Sequence, residues 1–232
     1  MITLRPAAAR GHFNFGWLDT WHTFSFGDYY NPHHLQFRSL RVINEDRVEP
    51  GQGFGTHGHK DMEIFTWVLE GALEHQDSLG TKGVISPGEA QVMSAGSGIR
   101  HSEFNASSQA SVHLLQIWIL PESLGLKPRY DQVRFKDAEL RNRWKEVANP
   151  TAAQGAVKLF QEARILVARM DPGTQLGHQL APGRGAWLQV ARGTITLNGI
   201  ALQAGDGAAV EKETELTVVA QQDAEVLLFD LA

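Results

Sequence analysis

Short apolar runs separated by turn residues make up most of this chain. The runs are rich in Val, Ile, Leu, Phe and Trp, a composition typical of β-strands. Turn dipeptides such as Glu70-Gly71 and Asn198-Gly199 lie between them. Many short strands joined by such turns predict an all-β fold of the sandwich or barrel type. The candidate strands span residues 40–43, 62–69, 73–76, 90–93, 112–120, 165–170, 187–191, 194–197, 208–210, 216–219 and 225–229.

One segment has a helical pattern instead. Within residues 137–148, Leu140, Trp144 and Val147 follow the i, i+4, i+7 spacing of an amphipathic helix. Asp137 comes before these apolar residues and is a candidate N-cap. The pattern therefore predicts a short helix that links two β-rich halves.

Internal similarity indicates that the two halves are duplicated domains. Residues 49–51 (EPG) are echoed by residues 171–173 (DPG), and residues 70–71 (EG) are echoed by residues 192–193 (RG) at the same offset. The offset is far longer than the roughly 20–50 residues of solenoid and propeller repeats. The repeat therefore predicts two separate domains. Their expected bounds are residues 1–135 and residues 136–232.

Composition narrows the chemistry that the chain can support. The 232 residues include no cysteine, so disulfides, thiolate metal sites and cysteine nucleophiles are excluded. A formal net charge of −5, with no dense Lys/Arg tract, disfavours nucleic acid and anionic lipid as direct partners. No apolar stretch approaches the ~20 residues that span a bilayer, and the first residues have no secretory signal pattern. We therefore expect a cytoplasmic protein, and its protein partners remain open.

Two short motifs carry candidate metal ligands. His57 and His59 are separated by one residue, and so are His101 and Glu103. Residues i and i+2 of a strand point to the same face, so two such strands side by side would direct three imidazoles and one carboxylate to one point. This donor set suits Fe(II), Mn(II), Co(II), Ni(II), Cu(II) or Zn(II). On an octahedral ion it leaves two positions open, whereas a tetrahedral zinc site would be closed and structural.

The surroundings of these residues resemble known sequence motifs. The spacing from Gly51 to Glu63 matches the cupin pattern G-x5-H-x-H-x3-E, and the segment that ends at Asn105 matches H-x3-N. The resemblance then narrows to the pirin family. It is carried by residues 53–63 (GFGTHGHKDME), 91–103 (QVMSAGSGIRHSE) and 21–26 (WHTFSF). It covers essentially the whole chain and is most specific between residues 10 and 121.

The resemblance to pirins implies both a fold and a ligand set. The expected fold is a bicupin, which consists of two jelly-roll-type β-barrels in tandem. One metal ion is expected, in the N-terminal barrel. The family's ligands correspond to His57, His59, His101 and Glu103, all of which are present.

Three other titratable residues are not included in the expected set of metal ligands. In pirins the glutamate at the position of Glu63 is not a ligand, so we interpret Glu63 as a buried, hydrogen-bonded residue or as one that supports a ligand, and leave its contact with the metal open. His75 and His113 lie in apolar runs and are interpreted as hydrogen-bonded histidines rather than ligands.

The C-terminal half has other residue types at the corresponding positions. Gln179 and Ala181 take the places of the first histidine pair, and Val218 and Ala220 take the places of the second pair. His178 is one residue out of register, and a slip of one residue would turn its side chain to the opposite face of a strand. We therefore expect residues 136–232 to form a cupin domain without metal ligands.

The resemblance also implies an activity, quercetin 2,3-dioxygenase, in which O2 opens a flavonol ring and carbon monoxide is released. A small aromatic, enolisable substrate of this kind would chelate the ion through adjacent hydroxyl and carbonyl oxygens and lose a proton. Glu103 is assigned a second, catalytic role as the base that takes this proton. Fe(II) is favoured as the cofactor, with Mn, Co, Ni, Cu and Zn as alternatives. Because ligand histidines must be neutral, metal loss is expected below pH ~6.

Two other functions fit the same motifs. One is a redox-responsive, metal-binding regulatory protein that acts through protein partners without turnover, although the chain has no DNA-binding motif. The other is an isomerase-type cupin that uses a divalent ion as a Lewis acid and needs no O2. Turnover with O2 separates the dioxygenase from both.

Overall fold

β-Strands make up nearly all of the regular structure in the computed structural model, which describes all 232 residues. Each candidate strand predicted from the apolar runs coincides with an observed strand to within one residue at the ends where it extends beyond it, so the all-β prediction is confirmed. The strands are β1 Ile2–Arg5, β2 Gly11–Asn14, β3 Leu18–His22, β4 Leu40–Val48, β5 Gly53–His59, β6 Glu63–Glu70, β7 Leu73–Asp77, β8 Lys82–Ile85, β9 Glu89–Ser94, β10 Ile99–Asn105, β11 Val112–Ile119, β12 Arg129–Arg134, β13 Lys145–Asn149, β14 Val157–Lys158, β15 Ala163–Met170, β16 Gln175–Gln179, β17 Gly185–Arg192, β18 Thr194–Leu197, β19 Ile200–Gln203, β20 Gly207–Val210, β21 Glu215–Ala220 and β22 Ala224–Leu231.

Helical structure is short. The one α-helix is α1, Asp137–Leu140, and the 3-10 helices are Ala7–Ala9 and Ala153–Gly155. None of these helices has the length and the apolar character that crossing a membrane would require.

The chain forms two compact units, and neither is continuous in sequence. The N-terminal unit contains Gly11–Arg134 and Val157–Gln161, and the C-terminal unit contains Met1–Arg10, Phe135–Ala156 and Glu162–Ala232. This division differs from a single boundary at 135/136 at residues 1–10, 135 and 157–161. Residues 1–10 belong to the C-terminal unit because β1 pairs with β20 along its whole length.

The N-terminal unit has two sheets that share apolar cores. Its seven-stranded sheet has the order β12-β9-β6-β11-β4-β3-β2, and its four-stranded sheet has the order β5-β10-β7-β8. One core contains Val68 and Leu114 from the larger sheet and Leu73 and Ile85 from the smaller sheet. These sheets are open rather than closed, as in the jelly-roll form of the cupin fold.

The C-terminal unit repeats this arrangement. Its larger sheet contains the strands β1-β20-β17-β22-β15-β13 in that order, and its smaller sheet contains β16-β21-β18-β19. A single buried core includes Leu188 and Leu228 from the larger sheet and Leu197 and Val218 from the smaller sheet. The duplication predicted from the repeat is therefore visible as two units with the same two-sheet plan.

The helix predicted over residues 137–148 is wrong beyond Leu140. The chain is extended at Arg141 and left-handed at Asn142, and it continues as strand β13, which pairs with β15. Asp137 is the first helical residue rather than the cap, which is Lys136. Leu140 and Val147 are still buried. The apolar spacing thus identified residues of the core, but pairing with a sheet edge outweighed helix propensity.

The turn at Gly193 gives a stability prediction with a matched control. Gly193 has a φ of 77°, and a Cβ there would lie 2.0 Å from the carbonyl oxygen of Asp223. Gly199 has a similar φ of 83°, but a Cβ there would meet no atom within 4 Å. We expect Gly199→Ala to destabilise the fold by about 1 kcal/mol and Gly193→Ala by at least about 2 kcal/mol, because only the second adds a clash to the backbone strain. Thermal unfolding of both variants measures the difference, and equal melting temperatures would contradict it.

Candidate metal centre

Neighbouring strands bring the two histidine-containing motifs together. Strand β5 pairs antiparallel with β10, and the register places His57 opposite His101 and Ile99 opposite His59. The register shifts between His101 and Glu103, which marks a β-bulge at this point. Bulges of this kind change the direction of side chains and are common at functional sites.

Alternation along β10 directs both of its candidate ligands inward. His101 is 2% exposed and Glu103 is 3% exposed, whereas Arg100 and Phe104 are exposed. On β5, His57 and His59 are half-buried and the residue between them is exposed. The i, i+2 spacing therefore has the geometric effect that the sequence predicts.

Three imidazole rings converge at this face of the four-stranded sheet. The ring centroids of His57, His59 and His101 lie 4.4–4.9 Å apart. One ring nitrogen from each lies within 4.8 Å of the others, so the three could hold a metal ion. The Nδ1 of His57 lies 2.8 Å from the carbonyl oxygen of Gly55, to which it donates when protonated, and this leaves Nε2 of His57 with its lone pair.

Glu103 is held by a chain of two further side chains. Its Oε2 accepts a hydrogen bond from Nε2 of Gln116 at 2.8 Å. The Oε1 of Gln116 in turn accepts one from the hydroxyl of Thr66 at 2.9 Å. This chain fixes the orientation of the carboxylate.

Two buried polar atoms in the cluster have no hydrogen-bond partner. They are Nε2 of His101 and Oε1 of Glu103. An unsatisfied buried polar atom destabilises a fold by about 1–3 kcal/mol, so such atoms are rare without a functional reason. A cation in contact with both would satisfy them. The residues present therefore fit a divalent metal ion with a nitrogen and oxygen donor set.

The electrostatics of the cluster also favour a cation. Burial lowers the pKa of His59 to about 4, with a further contribution from His57, and burial likewise lowers the pKa of His101. The lone pairs of these rings are therefore available at neutral pH. Burial raises the pKa of Glu103 to about 7, and Asp46 adds to this shift. A metal ion would reverse that shift because it stabilises the carboxylate.

A cavity of about 230 Å³ opens against this cluster. Its walls include Phe13, Phe26, Phe54 and Trp118, while His57, His59, Glu103 and Gln116 form one side. Trp118 meets the ring of His59 edge-to-face at 4.9 Å, and Phe26 meets Trp118 in the same way at 5.2 Å. The shape and lining suit a flat aromatic ligand with polar groups that face the histidines.

The three residues assigned away from the metal have different surroundings. The Oε2 of Glu63 accepts hydrogen bonds from Ser94 and from the backbone of Phe160, and Glu63 lies outside the cluster. His113 lies 3.0 Å from Glu45 on the neighbouring strand. His75, which the sequence predicts to be a hydrogen-bonded histidine, is fully buried, and its Nδ1 lies 3.5 Å from Nδ1 of His101.

Sequence reasoning missed the residues that support the cluster. Gln116, His75 and Asp77 lie on strands β11 and β7, not on those of the candidate ligands. One signal was available, because His75 and Asp77 repeat the i, i+2 spacing at the end of the candidate strand of residues 73–76. No sequence signal marks Gln116, whose role depends on how two sheets face each other.

The out-of-register histidine of the C-terminal unit has a structural partner. The Nε2 of His178 lies 3.0 Å from Oδ2 of Asp230. The same carboxylate forms an ion pair with Arg184. His178 therefore takes part in a network of charged side chains.

Fold and site together define a bicupin whose N-terminal unit carries a candidate site for a divalent metal ion. The Pirin family model matches residues 3–119, and a model described as the quercetinase C-terminal cupin domain matches residues 146–231. The chain therefore belongs to the pirin family, as the sequence motifs predict.

Curated relatives and solved structures match the chain over its full length. A protein named quercetin 2,3-dioxygenase from Escherichia coli (strain K12) is 51% identical over 100% of this chain and 99% of its own length. A pirin-like protein from Caulobacter vibrioides is 39% identical over 100% of both chains. A crystal structure of bacterial pirin YhhW from Escherichia coli in complex with nickel(II) has a TM-score of 0.95 and 51% identity, and it covers 100% of this chain and 99% of that chain.

Proposed function

We propose that this protein is a metal-dependent dioxygenase that opens a flavonol of the quercetin type. In the proposed reaction one O2 is consumed and one carbon monoxide is released for each flavonol. The metal ligands are His57, His59, His101 and Glu103, within the N-terminal cupin domain of residues 1–135. The C-terminal cupin domain of residues 136–232 holds no metal.

One observation carries this proposal. The candidate ligand cluster forms one side of an aromatic-lined cavity and contains two buried polar atoms without partners, Nε2 of His101 and Oε1 of Glu103. The name of the 51% identical relative, quercetin 2,3-dioxygenase, supports the substrate class. The nickel(II) complex of the 51% identical pirin supports a divalent ion. We favour Fe(II) as the cellular metal, with Mn, Co, Ni, Cu and Zn as alternatives.

The proposed mechanism uses the cavity to bind and the carboxylate to move a proton. The rings of Phe26, Phe54 and Trp118 contact a flat substrate and exclude water. When bound, a divalent ion supplies Lewis acidity that favours the ionised form of a chelating hydroxyl. Oε1 of Glu103, the oxygen that would also face the ion, accepts the proton of that hydroxyl through its second lone pair while Gln116 holds Oε2 in place. The substrate becomes an electron-rich enolate, which O2 then oxidises.

The direct test is O2 consumption with quercetin. Protein is loaded anaerobically with Fe(II), Mn(II), Co(II), Ni(II), Cu(II) or Zn(II), and O2 uptake and carbon monoxide release are followed together. We expect equal amounts of both with at least one redox-active metal. Full metal binding without O2 uptake would favour a redox-responsive regulatory protein. Conversion of a ligand under anaerobic conditions with Zn(II) would favour an isomerase.

The pH dependence of metal affinity follows from the pKa shifts of the cluster. The pKa of Glu103 is raised to about 7, so below that pH a proton must leave before the carboxylate binds metal. The pKa of His59 is lowered to about 4, so protons compete for this imidazole only near that pH. We therefore expect constant affinity above pH ~7, a loss of about tenfold per pH unit below it, and a steeper loss near pH ~4.

The pH range over which metal affinity is expected to fall thus begins higher than the pH ~6 expected from histidine protonation alone. Calorimetric titration with Mn(II) or Ni(II) at several pH values measures the affinity across this range. The matched variant Glu103→Gln lacks the titrating carboxyl, so its affinity should fall less steeply than that of the wild type between pH ~7 and ~5. Equal slopes in the two proteins would contradict the assignment.

A further inference from the structure

A buried chain of side chains lies behind His101. Strand β7 pairs with β10, and its inward-facing residues His75 and Asp77 are adjacent to Glu103 and His101 in register. Nε2 of His75 lies 3.3 Å from Oδ2 of Asp77, and Nδ1 of His75 lies 3.5 Å from Nδ1 of His101. His75 has no exposed surface, and Tyr130 packs against its ring at 4.8 Å. The three side chains therefore have little freedom to rearrange.

The hydrogen-bond partners determine which nitrogen of each ring carries a proton. Oδ1 of Asp77 accepts hydrogen bonds from the backbone amides of Leu79 and Thr81, so this side chain acts as a hydrogen-bond acceptor. A carboxylate only accepts, so His75 must donate from Nε2. A buried, neutral His75 then has an acceptor at Nδ1. The atom that faces it, Nδ1 of His101, must be protonated, and Nε2 of His101 keeps its lone pair.

We propose that Asp77 and His75 are positioning residues that hold His101 in the tautomer whose Nε2 lone pair points at the metal. This inference rests on the proposed metal site, because Nε2 of His101 is one of the two buried atoms of the cluster that lack a partner. Carboxylate and imidazole partners behind a ligand histidine fix its ring and raise its basicity, and their loss typically lowers metal affinity by about 10–100-fold.

His75 is placed as a positioning residue rather than as a ligand of the same ion. One of its ligand atoms does lie within 4.8 Å of atoms of His101 and Glu103. However, its near nitrogen faces Nδ1 of His101, on the opposite edge of the ring from Nε2. A single ion cannot contact both edges of one imidazole. A second ion bound by His75 is therefore an outcome that would overturn the proposal.

The variant Asp77→Asn tests whether Asp77 determines which ring nitrogens of His75 and His101 carry a proton. The two backbone amides should keep the side-chain oxygen of the asparagine, so its NH2 group should face Nε2 of His75. His75 would then be protonated at Nδ1, and His101 would have to move its proton to Nε2. We expect metal affinity to fall at least about 10-fold while the melting temperature of the metal-free protein changes little.

The tautomers are measured directly by 15N NMR of histidines in the metal-free protein. In the wild type we expect His101 to be protonated at Nδ1 and unprotonated at Nε2, and in Asp77→Asn we expect the reverse. Asp19→Asn is the matched control, because it removes the partner of His12 in an exposed Asp–His pair. The control should change neither the tautomer of His101 nor the metal affinity.

A second variant provides the test if Asp77→Asn does not fold. His75→Phe keeps a buried ring but removes the acceptor for Nδ1 of His101, so both tautomers of His101 should become populated and affinity should fall by a similar factor. The double variant of Asp77 and His75 should lose no more metal affinity than either single variant, because both substitutions act through the tautomer of His101.

Three results would overturn the proposal. They are a wild-type His101 that is protonated at Nε2, a metal affinity that is unchanged in both single variants, and a stoichiometry of two ions per chain. If the wild type shows no O2 uptake with quercetin, the proposed activity fails, but the tautomers still decide this inference.

Discussion

Substituting His101 by alanine is expected to lower metal affinity by at least about 100-fold and to abolish O2 uptake with quercetin. His101 is the most deeply buried of the three candidate imidazoles, at 2% exposure, and its ring lies within 4.9 Å of both other rings. Without it, two half-buried histidines and one carboxylate remain. Loss of a residue that only hydrogen-bonds to a ligand typically lowers metal affinity by about 10–100-fold, and removal of a ligand itself should lower it further.

The metal-dependent rise in melting temperature measures this loss independently of turnover. An ion at about 100 times its dissociation constant stabilises the folded state by about 2.7 kcal/mol. For a chain of this size we expect a rise of about 5–10 °C in the wild type and none in His101→Ala. His113→Ala is the control, because His113 is a similarly buried histidine whose partner is Glu45. It should keep the metal-induced rise, and an unchanged rise in His101→Ala would refute the ligand assignment.

Substituting Glu103 by glutamine is expected to separate metal binding from turnover. The amide keeps an oxygen that can face the metal, so affinity should fall modestly and excess metal should restore occupancy. It cannot accept the proton of a flavonol hydroxyl, so kcat should fall by about 10²–10⁴-fold, the usual contribution of a general base. The measurement is kcat for quercetin at saturating metal, with occupancy determined on the same sample.

A matched control exists for this substitution. Glu63 is also buried, at 1% exposure, and burial also raises the pKa of its carboxyl. Its bonds to Ser94 and Phe160 involve one oxygen, which the amide of Glu63→Gln retains. Glu63→Gln should therefore keep both metal and turnover. A kcat in Glu103→Gln equal to that of the wild type would show that Glu103 is a ligand without a role as the base.

The hydrophobic pattern located the core strands but not the strands that carry the candidate site. Strand β5, with the sequence GFGTHGH, and strand β10, with the sequence IRHSEFN, are not apolar runs. Glycines and polar ligands replace the apolar alternation there, because the inner face of these strands meets a cavity rather than packed side chains. The two strands were predictable only from the spacing of His57, His59, His101 and Glu103.

Over residues 137–148 the hydrophobic pattern located core residues but predicted the wrong secondary structure, a helix. Leu140 and Val147 are buried and Trp144 is partly buried. The backbone, however, leaves the helix after Leu140 and forms strand β13 from Lys145. Local spacing cannot distinguish a helical face from a bent segment that lies along a sheet edge. The partner strand β15 decides between them, and it comes later in the chain.

The all-β class, the duplication, the exclusion of thiolate chemistry and the four candidate ligands follow from the amino-acid sequence alone, because each depends on residue type or on spacing along the chain. The surroundings of those ligands depend on the tertiary fold. Gln116 behind Glu103, His75 and Asp77 behind His101, and the cavity bounded by Phe26 and Trp118 all arise from strands that are distant in sequence. Strand pairing and sheet packing create these neighbours, and no local pattern in the chain encodes them.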